Sequence, residues 1–535
     1  MNEIYSLNSS VYTSNFSRTM HMKLIGYSFL IEEFQLKVPE LKLILALGNE
    51  KQDYIKPFGT STIKFLAKTR KVGSTNCDHI ETAIQYQGIR LQYLVPIFEK
   101  VNQDELTSFI KEKPSAQIRR CIWYLYEWLT EIKLEIEDSK ANYIPLLDDT
   151  YYYTLADGKK DQRTRVINNF TGTKEFCPII RKTPELIDWS QRDLMDLALT
   201  KLLKLNGVNT ETLGRSVSYL YTKETKSSTE IENEDSHTSK TTKFYRVLKN
   251  SGTIPLNRRR LIDIQNKIVR SEKKDNGYRD DEIYVGESRI TWLDGEEENI
   301  HYIGPMQKHV EVMMTGWLDT HNNILLDQSI PPMVHAALLS FGFVYIHPFS
   351  DGNGRIHRYV IHDVLKIRHS SLGQDFIIPV SAAILARPND YDRVLEELSK
   401  PVMALLDYEL DTRDNSITIQ SDLDYLYRYP DLTSHALFLY EMMETAISED
   451  LVKEITYIIK YDVIKEVIEG CYDLPNKELD LLIKLAMQNK GKIANRKRAR
   501  FYDWIPEDKL TVLEEVIAKT LNDINTKSIG SEPKN

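Results

Sequence analysis

Residues 347–358 read His-Pro-Phe-Ser-Asp-Gly-Asn-Gly-Arg-Ile-His-Arg, and no other stretch of the chain sets so many reactive groups on so little backbone. His347 is a candidate general base, able in its neutral form to take the proton from a Ser, Thr or Tyr hydroxyl. Asp351 is a hard oxygen donor. Mg²⁺ ordinarily takes one or two carboxylates, with phosphate oxygens and waters for the rest. Gly352, Asn353 and Gly354 make a short loop whose backbone N–H groups can approach an anion closely. Attack on a phosphate builds charge on its non-bridging oxygens, which those N–H groups and the Asn353 side chain would hold. Arg355 and Arg358, three apart, share one helix face and carry forked donors suited to phosphates.

Those groups need two helices to position them. Pro331 and Pro332 precede an apolar run, Met333–Ile346, and proline suits a first helical position. Downstream, Ile356, Val360, Ile361, Val364, Leu365 and Ile367 cluster on about half of a helical wheel, with Arg355 and Arg358 on the other half. The expected unit is helix, tight loop, helix. The loop feeds a helix N-terminus, where unsatisfied N–H groups and the dipole favour an anion.

This stretch resembles the signature of the Fic family, His-x-Phe-x-(Asp/Glu)-Gly-Asn-Gly-Arg-x-x-Arg. His347, Phe349, Asp351, Gly352, Asn353, Gly354, Arg355 and Arg358 match every fixed position. Doc-type kinases lack the second arginine; this chain keeps it. The resemblance implies transfer of AMP from ATP, with Mg²⁺, to a protein hydroxyl. His347 and Asn353 would be catalytic, Asp351 the metal ligand, and Gly352, Asn353, Gly354, Arg355 and Arg358 the ATP site. In the family an aromatic residue at a later helix start contacts adenine, which makes Tyr391 the candidate here. Ser227-Ser-Thr-Glu-Ile-Glu-Asn233 resembles the family's inhibitory motif, (Ser/Thr)-x-x-x-Glu-(Gly/Asn), through Ser228, Glu232 and Asn233. Residues 284–303 read as a hairpin with Asp294-Gly295 at its turn. In the family such a flap docks the protein target, and self-modification is a further route.

The rest of the chain bounds these expectations. Its 535 residues suffice for about three domains. A charge of −9 argues against a global nucleic-acid or membrane surface. Cys77, Cys121, Cys177 and Cys471 have no zinc-ligand spacing and imply buried thiols in a reducing compartment. With no apolar run long enough to span a bilayer and no secretory leader pattern, a cytoplasmic location is expected. No Walker A motif occurs. His357 and His362 lie about 140° apart on a helix, so a metal hydrolase built on them is disfavoured, and His357 falls in the apolar arc.

The expected fold is mainly α: a Fic-type helical core with a small β-hairpin flap, flanked by helical N- and C-terminal domains, with cuts at 1–190, 191–408 and 409–535. Long helices are read over Ile80–Glu99 and Ala116–Glu137, and an apolar stripe over Val310, Met313, Met314, Trp317 and Leu318. Lys64–Gly73 reads as a solvated basic face. The basic run 490–500 has two readings, a solvated Arg-rich turn, which is favoured, and a winged-helix-like contact with nucleic acid. Other functions kept open are transfer of another nucleotide or phosphoryl group, removal of AMP, and a nucleotide-gated regulatory or DNA-binding protein.

Overall fold

The computed structural model describes residues 22–203, 210–232, 238–291, 295–368, 377–411, 416–470, 472 and 474–529. It is mainly helical with small sheets. The chain divides into two units of interleaved segments. Met1–Gln191, His237–His369 and Arg387–Tyr440 form the first; Arg192–Ser236, Ser370–Ala386 and Glu441–Asn535 form the second. The serial cuts expected after residues 190 and 408 meet this division only near the first.

Residues 22–190 carry two small sheets beside their helices. Strands β1 (Lys23–Leu24), β2 (Leu43–Leu47), β3 (Tyr54–Phe58) and β4 (Ser61–Leu66) form a sheet in the order β1-β2-β4-β3, with β2 and β4 parallel. Strand β2 is apolar throughout because both faces are covered. Ile44 and Ala46 pack with Leu24, Ile63 and Phe65, while Leu45 packs with Ile25 and Leu66. A strand buried on both sides loses its period of two. The basic stretch from Lys64 therefore begins inside a strand, with Phe65 and Leu66 buried. A smaller sheet orders β5 (Ile144–Pro145), β7 (Val166–Asn168) and β6 (Lys159–Asp161) as β5-β7-β6.

The run over Ile80–Glu99 is two helices, Asn76–Gln87 and Leu91–Lys100, split at Gly88, whose φ of 80° leaves the helical region. The helix expected to Glu137 stops at Thr130, where Glu131 turns left-handed with φ 61°. Cys77, Cys121 and Cys177 are buried free thiols; Cys471 lies outside the described residues.

The centre of the first unit is the leading helix, Pro332–Ile346, apolar on all sides and buried at nearly every position. Pro332 sits in its first turn. Against it lies Gln307–Leu326, whose Val310, Met313, Met314 and Trp317 are buried as the stripe requires, with Leu318 half-buried. Trp317 Nε1 donates to Leu339 O at 2.8 Å. His321 Nδ1 lies 3.1 Å from His335 Nε2, and Arg368 Nη1 donates to His335 Nδ1 at 3.3 Å. His335 therefore carries its proton on Nε2 and donates it to His321, and both rings are neutral.

Burial holds His321 at about 4, and His357 and His435 at about 3, below the ordinary 6.5. Each fold-state value is depressed, so the unfolded chain binds protons first as the solution is acidified. Stability is complete above the unfolded value and declines below it, by up to about 2 kcal/mol per ring at about pH 5. Urea midpoints measured at neutral and at mildly acidic pH check this; an unchanged midpoint contradicts it.

Hairpin β8 (Tyr284–Thr291) and β9 (Gly295–Ile303) is antiparallel, with a register shift between Val285 and Gly286. The polar boundary expected near residue 408 is a second hairpin, β10 (Tyr408–Asp411) and β11 (Ser416–Ile419), with Ile417 and Ile419 buried. In the second unit, Ile464, Leu479, Leu482, Leu513 and Ile517 form a core shared by helices Val452–Glu469, Asn476–Gln488 and Glu507–Ile529. No strand follows Ile419 among the described residues. The winged-helix reading is corrected accordingly: helices are present and a wing is not, within those residues.

Candidate active site

The leading helix ends at His347, which adopts the left-handed conformation with φ 50° and ψ 60° and donates its N–H to Phe343 O at 2.9 Å. This is a common way to stop a helix, usually with glycine at that place. His347 Nδ1 lies 3.0 Å from Val344 O. A carbonyl can only accept, so Nδ1 carries the proton and Nε2 carries the acceptor lone pair. The imidazole ring lies beside Tyr302 of β9, centroids 6.1 Å apart.

The loop that follows is pinned at Phe349. Its ring is buried near Phe343 and Tyr278, and the Asn353 side chain grips its backbone from both sides. Asn353 Oδ1 accepts from Phe349 N–H at 3.0 Å, and Nδ2 donates to Phe349 O at 2.7 Å. Asn353 thus shapes the loop, a role different from the oxyanion contact expected of its side chain. Gly352 has φ 89°, and a Cβ there would stand 3.0 Å from Val269 Cγ1. The following helix, Asn353–Arg368, makes its first intrahelical bond from Ile356 N–H to Gly352 O at 3.0 Å. The N–H groups of Asn353, Gly354 and Arg355 precede any such partner and stand at the end of the helix whose dipole favours an anion.

Asp351 and Arg355 face each other. Arg355 Nη2 lies 3.3 Å from Asp351 Oδ1, and Nη1 donates to Ile268 O at 3.0 Å. Arg355 is therefore anchored, with only 3% of its side chain exposed. Arg358 is fully buried. So is His357, whose Nδ1 bonds Ser340 O at 2.7 Å, which makes it the core histidine that its place in the apolar arc indicates. Tyr391 is buried too, stacked on Phe438 with centroids 5.9 Å apart and 6.3 Å from His357. A ring packed this way does not offer the open face that adenine stacking needs. Ser228 and Glu232 belong to the second unit. Ser228 is buried in helix Thr210–Ile231, and Glu232 follows its end, exposed, with its N–H on Thr229 O at 3.2 Å. Asn233 lies outside the described residues.

Three positioning residues escape a sequence reading. Arg279 donates its backbone N–H to Pro348 O at 2.8 Å and its Nε to His347 O at 2.8 Å, while Nη1 and Nη2 reach Asp281 O and Pro305 O at 2.7 and 2.5 Å. It joins the backbone at His347 to the base of hairpin β8–β9. Burial pulls its pKa down to about 10. On the other side, Asp275 accepts from Ser350 N–H at 3.1 Å and Ser350 Oγ at 2.8 Å. Gln265, fully buried, donates to the Asp275 carboxylate at 3.1 Å and to Asp351 O at 3.3 Å. Residues 271–282 read Ser-Glu-Lys-Lys-Asp-Asn-Gly-Tyr-Arg-Asp-Asp-Glu, so charge density hides the roles of Asp275 and Arg279 behind the look of a solvated loop. Replacing Arg279 with methionine should cost about 1–3 kcal/mol for each buried carbonyl left without a donor. Chemical denaturation checks this, and an unshifted midpoint refutes the clamp.

Behind the loop, Asp363 Oδ1 accepts from Gly252 N–H at 2.8 Å, Tyr359 Oη at 2.7 Å and Arg260 Nη2 at 3.0 Å. This buried network ties the following helix to helix Arg258–Ile268.

Residues 255–365 match the Fic/DOC family. The matched segment runs from helix Arg258–Ile268 through the hairpin to the following helix, and includes Gln265, Asp275 and Arg279. It stops short of Ser228, Glu232 and Tyr391. A Fido domain-containing protein of Dictyostelium discoideum is 32% identical over 108 residues, 20% of this chain and 63% of that relative. The chain therefore spans less than two thirds of that relative's length. Among solved structures, a Fic family protein from Desulfovibrio desulfuricans G20 aligns at 18% identity and TM-score 0.36, over 59% of this chain and 87% of the other. A Fic domain containing signaling protein from Bacteroides thetaiotaomicron VPI-5482 aligns at 17% identity and TM-score 0.31, over 50% and 96%.

The described residues hold no group of three or more His, Cys, Asp or Glu side chains that could cage a metal. One carboxylate, Asp351, beside a helix N-terminus is a donor set that fits a cation drawing most of its ligands from phosphate and water. No helix among the described residues is long and apolar enough to cross a membrane.

Proposed function

We propose that this chain transfers AMP from ATP to a Ser, Thr or Tyr hydroxyl of a protein. The observation that carries the reading is the tautomer of His347. Its Nδ1 proton is committed to Val344 O, which makes Nε2 the base, and the ring stands one short loop before the helix N-terminus at Asn353. In this reading the N–H groups of residues 353–355 receive the α-phosphate. Nε2 takes the hydroxyl proton, the hydroxyl oxygen bonds to the α-phosphorus, and the bond to the β-phosphate oxygen breaks to release pyrophosphate. Arg358 grips the outer phosphates, while Arg355 holds Asp351 in place. Asp351 would hold Mg²⁺, which supplies neutralisation of phosphate charge. Hairpin β8–β9 offers its edge to an extended target segment by strand addition, and the protein itself is one such target. Ser228, Glu232 and Asn233 restrain the reaction.

The test is incubation with ATP labelled at either the α- or the γ-phosphate. Protein-bound α label with no γ label is expected. Bound γ label alone shows phosphoryl transfer and overturns the proposal.

A further inference from the structure

We propose that an exposed face of the second unit, made by Lys492, Arg496, Lys497, Arg500, Phe501 and Trp504, binds single-stranded nucleic acid. This does not rest on the transfer reading. Residues 490–500 contain six cations and no acid. One of the six, Arg498, turns inward: its Nε lies 3.1 Å from Glu514 Oε1, and the same carboxylate oxygen accepts from Ile493 N–H at 2.7 Å. Glu514 is 4% exposed, so the segment is seated by a buried acid. Among the described residues, no carboxylate pairs with Lys492, Arg496, Lys497 or Arg500, and all four are exposed. The solvated-turn reading accounts for these cations alone, but not for what stands beside them.

Tyr502 and Ile505 turn into the core, whereas Phe501 is 37% and Trp504 54% exposed. Both rings are held: Trp504 Nε1 donates to Phe501 O at 3.1 Å, and the Arg500 guanidinium lies 5.1 Å from the Phe501 centroid. On helix Asn495–Phe501, Arg496 and Arg500 are four apart, as are Lys497 and Phe501, so cations and ring share a side. Cations track a phosphate backbone, and rings offer planes to unpaired bases; a duplex keeps those base faces covered. An anionic membrane calls for an apolar helix face, and this helix has Phe501 as its one large apolar residue. An acidic polypeptide uses the cations and leaves the rings without a task. The helix is about 10 Å long, room for a few nucleotides.

Full-length protein is titrated against a fluorescent oligothymidylate at several salt concentrations. Binding should weaken with salt, with a log–log slope of about −2 to −3 for three or four phosphate contacts. Trp504→Ala should weaken it about tenfold or more, and Lys497→Gln should flatten the slope by about 0.7, each at an unchanged melting temperature. Absence of binding at low salt overturns the proposal. So does equal affinity for duplex of the same length or for polyglutamate, binding to anionic vesicles alone, or an Arg496→Gln, Lys497→Gln, Arg500→Gln variant that binds as well as the parent.

Discussion

His347→Ala is expected to remove transfer of α label while leaving ATP binding intact. The ring is placed as a base: its proton is fixed on Nδ1 by Val344 O, and it follows directly on the end of a fully packed helix. Loss of a positioned base should cost about 10²- to 10⁴-fold in rate. The loop N–H groups, Gly352 and Asn353 are untouched by the substitution, so calorimetry should show nucleotide affinity close to that of the parent. Near-normal label incorporation in a folded variant removes His347 from the chemistry.

Glu232→Gly is expected to raise both self-modification and target modification, by up to about 100-fold. In the proposed restrained state the Glu232 segment denies the outer phosphates their grip by the Arg358 fork. ATP then binds with its α-phosphate displaced, and a displacement of about 1 Å is worth on the order of 100-fold in rate. Adding Arg358→Ala should abolish the gain, because the released fork is what the gain depends on. A purely structural role gives a different signature: a shifted melting temperature and no activation. Glu232 follows the last residue of its helix, where the groups left over are carbonyls that a carboxylate cannot cap. Label incorporation and a melting curve for parent, single and double variants separate the two. A stable Glu232→Gly protein that binds ATP and shows no increase ends the inhibitory reading.

The helix–loop–helix geometry around residues 347–358 was legible because its determinants are local. Residues 347–358 carry a helix stop, a glycine at positive φ and a helix start within twelve residues, and each leaves a mark on the sequence. The stripe through Met313 and Trp317 was legible for the same reason, as periodicity in one helix. What supports the loop was not. Arg279 acts on His347 across 68 residues, and Gln265 on Asp351 across 86, and no spacing rule connects such positions. Tyr391 looked available at a helix start, yet Phe438 covers it, a contact that only the fold creates. Strand β2 hid its type because burial on both faces removes the alternation that would have marked it.

The left-handed backbone at His347 bears on how this position would drift over generations. A non-glycine residue there costs about 1–2 kcal/mol, and the Nδ1 bond returns about 0.5–1.5 kcal/mol. Glycine at 347 would therefore leave stability nearly unchanged. Folding by itself exerts little pull to keep histidine, whereas Phe349, deep in the packed interior, is held by it in every descendant that folds. Among descendants of this chain, the residue at 347 would be one in the motif that tracks the proposed transfer rather than a retained scaffold. A chain that keeps the two helices and the glycine loop but carries glycine at 347 would have given up the reaction at almost no structural loss.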